Sequence, residues 1–493
     1  MLRHALLAIA ITVVVTAYPA RAQDSAAVPS VAAAIELRNI GEFAKAAEVL
    51  QQVLASEPGN GDAARLYAQT LYWMKDVAGA TAAYERAIAQ NPEDTTLRLD
   101  FAQMLVETRS DARAQQVLEP MLKSSVTRAR AATLRGTSLY WGGDLTGAAR
   151  HFRMAIAADS NATDARRQLF EIRSVAAPWI AVGGGALYDD QPLDRVDAAA
   201  EAGMFINPLL SVAARVQSTK FTADDDLPDA TVIAGEAELS HSTPGARVES
   251  RIAAGAVTHN SDLTSQDWTG RASVRLRLPN FVLIEARGER APYLHTVAST
   301  LGLVMSHTGW LAVGLSHPKG WLGEAAVRAE LFEDENSLRS MYAWFLAPLV
   351  RTATFTGNLG YSIAAQDAEE TRINALSLYT PYYTPENIVS HSALGSMTIK
   401  ASPAFTVSAR GAYGFHARED APVITQLPGF GGPYRIDFVR RSFSPWDAHV
   451  SLSGALSKAA TLSASVDRMK TAFYTATTGS VRLTYRFLPS ASR

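Results

Sequence analysis

From residue 30 to residue 173 apolar residues recur with helical spacing, and a longer period is laid over it. Ala46, Ala80, Ala114 and Ala148 stand 34 residues apart, as do Ala68, Ala102 and Gly136, and Leu71, Leu105 and Leu139. The large residues Leu50, Tyr84, Leu118 and Phe152 keep the same step, and so do Val53, Ala87, Met121 and Ala155. Small residues at fixed places let two antiparallel helices approach, and large ones fill the groove to the next pair. The spacing therefore predicts a stack of helix pairs. Pro58 and Pro92 close the first two units, where the next two carry Val126 and Ser160. Residues 161–174 predict one more helix with a charged face (Asp164, Arg166, Arg167, Glu171, Arg173), capping the stack and leading on.

At Pro178 the period changes to two and stays so to the end of the chain. Val248, Ser250, Ile252, Ala254 and Ala256 oppose Glu249 and Arg251; Val274, Leu276 and Leu278 oppose Arg275 and Arg277. In the last segment, residues 479–487, Val481, Leu483, Tyr485 and Phe487 share one face while Arg482, Thr484 and Arg486 share the other. A soluble barrel would turn large aliphatics inward. Here the apolar face is rich in Ala and Gly, with aromatics such as Tyr188, Phe205, Phe281, Tyr413 and Phe415 near strand ends, and the polar face is repeatedly ionic. That is the pattern of strands with lipid on one side and a wet lumen on the other.

The connections alternate in length. Short ones fall at Asn207-Pro208 and Pro279-Asn280 and at residues 243–245, 348–351, 401–403 and 457–460. Longer ones fall at 189–195, 223–229, 260–267, 366–387 and 419–446, and short turns inside with long loops outside is the outer-membrane rule. About 315 residues at roughly 20 per strand and connection give about 16 strands. A direct segment list gives 17, an odd number that two termini on one side forbid, so one hairpin between His295 and Glu333 is taken as surplus. The fold class is thus α + β multidomain, an N-terminal α-solenoid followed by a transmembrane antiparallel β-barrel.

The chain has 493 residues, 47% of them hydrophobic, and a formal net charge of -2, which gives no bulk basic signal for nucleic acid. It has no cysteine, hence no disulfide and no lipidated N-terminal cysteine. Residues 1–22 carry a short basic start (Arg3, His4), an apolar core and the Ala20-Arg21-Ala22 cleavage pattern, so they predict a secretory signal peptide. The expected organisation is signal peptide 1–22, linker 23–29, solenoid 30–174 and barrel 178–493.

The helical repeats resemble the tetratricopeptide repeat. A small residue stands at its eighth and twentieth positions, an aromatic or Leu at the twenty-fourth, and Pro closes the unit. The ending at Tyr485 and Phe487 resembles the aromatic-x-aromatic signal read by the outer-membrane assembly machinery, here with six residues after it. The order of the two domains resembles outer-membrane secretion subunits of bacterial exopolysaccharide systems of the cellulose and poly-N-acetylglucosamine type. Tyr382-Tyr383-Thr384-Pro385 is similar to the aromatic-Ser/Thr-Pro element of the cellulose-type barrels. Those exporters carry a longer solenoid. The resemblance implies an outer-membrane pore conducting an exopolysaccharide, with a periplasmic solenoid that recruits a protein partner. A solenoid scaffold anchored by a plugged barrel and a general solute porin are the alternatives.

A polysaccharide conduit needs a wet lumen with many weak contacts. The candidates for that path are Arg251, Arg275, Arg277, Glu285 and Arg287, then Arg328, Glu330, Arg410, Arg482 and Arg486. The competing reading is that these form ion pairs that rigidify or plug the barrel. Tyr67, Tyr72, Trp73, Tyr140 and Trp141 are candidates for a carbohydrate-stacking surface on the solenoid, or else inter-repeat packing, since Tyr72-Trp73 and Tyr140-Trp141 share one register. Residues 427–434, rich in Gly and Pro, read either as a loop that folds in to gate the lumen or as a mobile external loop. His391 with Ser390 or Ser392 is the sort of pair that serves in membrane-barrel hydrolases, and Asp224-Asp225-Asp226 is either a calcium-binding triplet or, as is usual in a loop, a solvated acidic run. No zinc-protease, nucleophile-elbow or nucleotide-binding signature is present, so no enzyme, cofactor or metal is expected.

Overall fold

A computed structural model describes residues 29–490 apart from 191–192, 224–228, 261–264, 375–378, 427–433 and 473. The signal peptide, the acidic run at Asp224 and the gate-like loop before Tyr434 lie outside these residues. By contact density the chain forms two compact units, one ending at Thr127 and one beginning at Arg128.

The first unit holds α1 (Val31–Asn39), α2 (Phe43–Ser56), α3 (Gly61–Trp73), α4 (Val77–Gln90), α5 (Thr95–Glu107) and α6 (Asp111–Lys123). The repeated small residues Ala46, Ala68, Ala80, Ala102 and Ala114 are fully buried where the helices cross, and Leu50, Tyr84 and Leu118 fill the grooves. Tyr84 stacks on Phe101 of the next helix at 5.2 Å. The starts of α3 and α5 are capped in the same register, by Asn60 accepting from the Ala63 amide (2.9 Å) and Asp94 from that of Leu97 (2.9 Å). Local capping and packing thus repeat with the same 34-residue step.

The second unit opens with α7 (Arg128–Trp141), α8 (Leu145–Ala158) and α9 (Thr163–Val175). Gly136 faces the ring of Phe152, and a Cβ there would lie 2.5 Å from Cε1. The strands follow. They are β1 (Trp179–Asp189), β2 (Leu193–Asn207), β3 (Leu210–Ala223), β4 (Ala230–Ser242), β5 (Val248–Asn260) and β6 (Ser265–Arg277). Next come β7 (Val282–Pro292), β8 (Met305–Ser316), β9 (Leu322–Phe332), β10 (Ser337–Arg351), β11 (Phe355–Ala368) and β12 (Ile388–Lys400). The last four are β13 (Phe405–Gln426), the interrupted β14 (Tyr434–Phe443 and Trp446–Ala455), β15 (Ala460–Lys470) and β16 (Thr475–Arg486).

Every neighbouring pair is antiparallel, and β1 pairs with β16 from Trp179 opposite Arg486 to Asp189 opposite Ala476, which closes the sheet. The sheet contains seventeen segments, but the two parts of β14 both pair with β13 on either side of a break at Ser444-Pro445. They are one strand, so the barrel has 16. The break falls at Pro445, where the missing amide and fixed φ interrupt the ladder, inside the stretch 419–446 that reads as a connection in the sequence, and no hairpin is surplus between His295 and Glu333. That stretch holds β8, β9 and the short helix Val297–Thr300. Two further expectations shift. The connection read at 419–446 is mostly strand, since β13 and β14 pair as far as Gln426 opposite Tyr434. The turn read at 348–351 lies one strand-end later, because β10 bulges at Pro348 and runs on to Arg351.

The end of the barrel where β1 begins and β16 ends carries only short turns; the far end carries the long connections 293–304 and 369–387. At the near end the turn between α7 and α8 sits on that between β4 and β5. A Cβ on Gly143 (φ +80°) would lie 2.2 Å from the Gly245 amide nitrogen. Arg486 Nη1 donates to the Val175 carbonyl at the end of α9 (3.2 Å). Among the described residues no helix is long and apolar enough to cross a membrane.

Candidate conduit through the barrel

The strands separate their two faces through the middle of the barrel and at its near end. Large apolar side chains such as Ile180, Val216, Ile252, Val327, Met341 and Val481 point outward and are left about half exposed. Ionised side chains point inward. A water-soluble barrel has the opposite arrangement, because bare apolar area costs free energy in water.

The inner wall of β4–β7 is an ion-pair ladder set by register. Glu249, Arg275 and Glu285 stand opposite one another on β5, β6 and β7. Arg275 contacts Glu285 at 2.8 Å and Glu249 at 3.5 Å, and Arg277 reaches Glu249 at 3.1 Å. Arg287 closes on the other oxygen of the buried Glu285 (2.5 Å). Further round, Arg482 pairs with Glu201 (3.0 Å), whose second oxygen accepts from Trp179 Nε1 (2.9 Å), and Arg328 pairs with Glu330 (2.9 Å). Arg251, Arg275, Glu285, Arg287 and Arg486 line one cavity of about 710 Å³. Among the described residues no ion pair is recorded for Arg251 or for Arg410, which stands opposite His449.

Several inward groups escape a reading of single strands. Arg271 bridges Glu236 (3.3 Å) and Glu238 (3.0 Å), two carboxylates that share the inner face of β4. Trp310 lies under the Arg287 guanidinium at 4.4 Å, and Tyr342 donates to Glu324 (2.8 Å). Parity along each strand was the signal available for them. Their partners depend on cross-strand register, which single segments do not carry.

At the far end the connections turn into the lumen. Leu294, Val297 and Leu303 pack against Leu193, Phe221, Val232 and Val257, inward residues at the far ends of β2–β5. His259 Nε2 lies 2.7 Å from the Thr300 carbonyl oxygen. Thr296 Oγ1 donates to the Pro381 carbonyl (2.6 Å), tying the connection 293–304 to the connection 369–387. Tyr382 is buried, stacks on Phe332 at 3.5 Å and donates its hydroxyl to Asp334 (2.6 Å). Burial and that hydrogen bond push its hydroxyl far above the ordinary tyrosine range. Thr384 is buried too, and its Oγ1 accepts from the Arg372 amide (2.9 Å). The four-residue element from Tyr382 to Pro385 therefore ties the connection 369–387 to the end of β9 and, through the Ala368 amide donating to the Pro385 carbonyl (2.8 Å), to the end of β11.

On the helices, Tyr67 accepts from Gln51 Nε2 (2.7 Å), and Tyr72 donates across a repeat to Glu107 (2.7 Å). Burial and the Glu107 bond push the Tyr72 hydroxyl up to about 12. Its counterpart Tyr140 donates to Glu171 (3.2 Å). Trp73 packs edge-on against Phe43 under the Arg38 guanidinium (4.2 Å), and both Trp73 and Trp141 stay about half exposed. Tyr485 and Phe487 stand on the outer face at the near rim, edge to face at 5.2 Å. His391 points outward to the Tyr361 hydroxyl (2.5 Å) while Ser390 lines an inner cavity, so alternation keeps that pair apart.

A tetratricopeptide-repeat family model matches residues 41–82 and 74–136. The helical region is thus a tetratricopeptide-repeat domain, followed by the closed barrel. Among solved structures the chain is similar to a bacterial polysaccharide outer membrane secretin. The identity is 11% over 63% of this chain and 99% of that one, with a TM-score of 0.48. It is also similar to CdiB from Acinetobacter baumannii, at 8% identity over 63% of this chain and 60% of that one, with a TM-score of 0.37. For MamA from Desulfovibrio magneticus RS-1 the values are 15%, 29%, 80% and 0.26. No curated protein sequence matches the chain.

Proposed function

We propose that this protein is an outer-membrane export conduit for an exopolysaccharide, its tetratricopeptide-repeat domain lying in the periplasm and recruiting a protein partner there. The observation that carries the proposal is the inversion of the barrel. Its outer wall is an apolar band suited to lipid, and its inner wall away from the far-end connections carries charged and hydroxyl groups suited to a hydrated polymer. Sixteen strands enclose a lumen wide enough for solutes where side chains and connections leave it open. Helical repeats present extended surfaces that bind peptides or proteins without catalytic apparatus, and the proposal includes no chemical step.

The far-end connections favour a second reading, in which the barrel is a plugged anchor for a repeat-domain scaffold. Single-channel recording of the purified full chain in planar bilayers separates the two. The conduit reading predicts steady ion conductance once residues 369–387 are replaced by a short Gly-Ser linker. A folded, inserted protein that stays silent in both forms would leave the anchor reading standing.

A further inference from the structure

We infer that the cargo is an uncharged, polyhydroxylated polymer that moves along an oblique belt of hydroxyls on β11–β16. This inference rests on the conduit reading above. Thr356, Thr398, Ser408, Ser451, Ser465 and Ser480 stand directly opposite one another from strand to strand, in unbroken register from β11 to β16. All six share the inward face, since their neighbours Met397, Val450, Val466 and Val481 are the exposed outer residues. Two links of the row are closed by direct contacts, Thr398 Oγ1 to Ser408 Oγ at 3.2 Å and Ser465 Oγ to Ser480 Oγ at 3.0 Å. At ~4.8 Å per strand the belt is roughly 24 Å long, and because barrel strands tilt by about 35–45° it climbs along the axis instead of circling it.

The remainder of the inner wall explains why the cargo carries no charge. On β4–β7 the lumen arginines Arg271, Arg275, Arg277 and Arg287 each touch a carboxylate, and Arg271 and Arg275 touch two, while Arg251 on the same wall has no carboxylate partner among the described residues. Cations compensated at contact distance leave no standing field to draw in an anionic chain, and interleaved signs hold a charged group of either kind at its opposite number. Beside the belt Arg482 is paired with Glu201 and His449 Nδ1 lies 2.5 Å from Asp467 Oδ1, and Arg410, two residues along from Ser408, is the cation without a carboxylate partner among the described residues there. A hydroxyl donates once and accepts twice without charge, so a neutral sugar exchanges bonds with water for bonds with the wall at little net gain. Such a chain is held in register and still slides.

The test compares three hexasaccharides, neutral maltohexaose, anionic hexagalacturonate and cationic chitohexaose prepared as the free amine. Each is titrated against the unaltered full chain by calorimetry, and against the loop-shortened chain by block of single-channel current. The neutral hexamer is expected to bind at least about tenfold more tightly than either charged one, and the combined variant S408A, S451A, S465A, S480A to lose about tenfold of that binding. A loop-shortened chain that conducts yet prefers a charged hexamer overturns this inference and leaves the conduit standing. Conductance with no hexamer bound by either form overturns it as well. Absence of conductance in an inserted, folded protein removes the conduit and this inference together.

Discussion

Arg271 holds two carboxylates of one strand face, Glu236 and Glu238, at 3.3 and 3.0 Å. With Arg271→Ala those two carboxylates stay side by side without their shared cation. Since all three side chains are partly exposed to the lumen, the expected loss is about 1 kcal/mol, well short of that for a buried pair. The clearer sign is a lumen that turns cation-selective, read as a raised potassium-to-chloride permeability ratio in bilayers. Gly136 is set by contact, because a Cβ would meet Phe152 at 2.5 Å. Gly136→Ala should lower stability by about 1–3 kcal/mol in urea titrations followed at the helical circular-dichroism band. The Tyr72 hydroxyl, pushed up to about 12, gives a pH prediction. The folded chain keeps that proton between pH 10 and about 12 while the unfolded chain has lost it, so the contribution is complete below pH 10 and falls away as pH rises through this window. In Tyr72→Phe the alkaline fall in helix stability should be shallower. None of these partners was legible in the sequence. Its parity placed arginines and glutamates on one face, but which Arg meets which Glu depends on strand register.

The elements themselves were more legible. A 34-residue step in both small and large residues defined the helix pairs, since close approach and groove filling demand a fixed spacing. Strict alternation defined the strands. Of the far-end connections, 366–387 was read as a simple external loop and 293–304 was not read as a connection, and the reason is physical. Leu193, Phe221, Val232 and Val257 share the parity of the lumen-facing charged residues, so apolar side chains at inward positions were the available sign that something packs inside. The strand broken at Pro445 was missed because 419–446, with its several Pro and Gly residues, reads as one long connection. Tyr382 is the natural lever on the inserted connection. Tyr382→Ala removes a buried ring stacked on Phe332 and should cost the local fold about 3–5 kcal/mol. Faster hydrogen exchange confined to 293–304 and 369–387 would register it, together with more frequent channel openings. Protection unchanged in both segments would mean that the ring does not hold them.

At the scale of the molecule, an apolar outer wall and a wet inner wall, with the helices α7–α9 at one rim, together describe a passage through lipid for something hydrated. That much follows from alternation and period, which any strand or helix must display when its two faces meet different surroundings. The cargo does not follow from them. The measurement that tests the central claim most directly is the amount of polysaccharide outside the cell and in the periplasm, in a strain lacking this gene and in the same strain complemented. Export predicts loss outside with accumulation in the periplasm, both restored by complementation. Equal amounts in both compartments with and without the gene would contradict it.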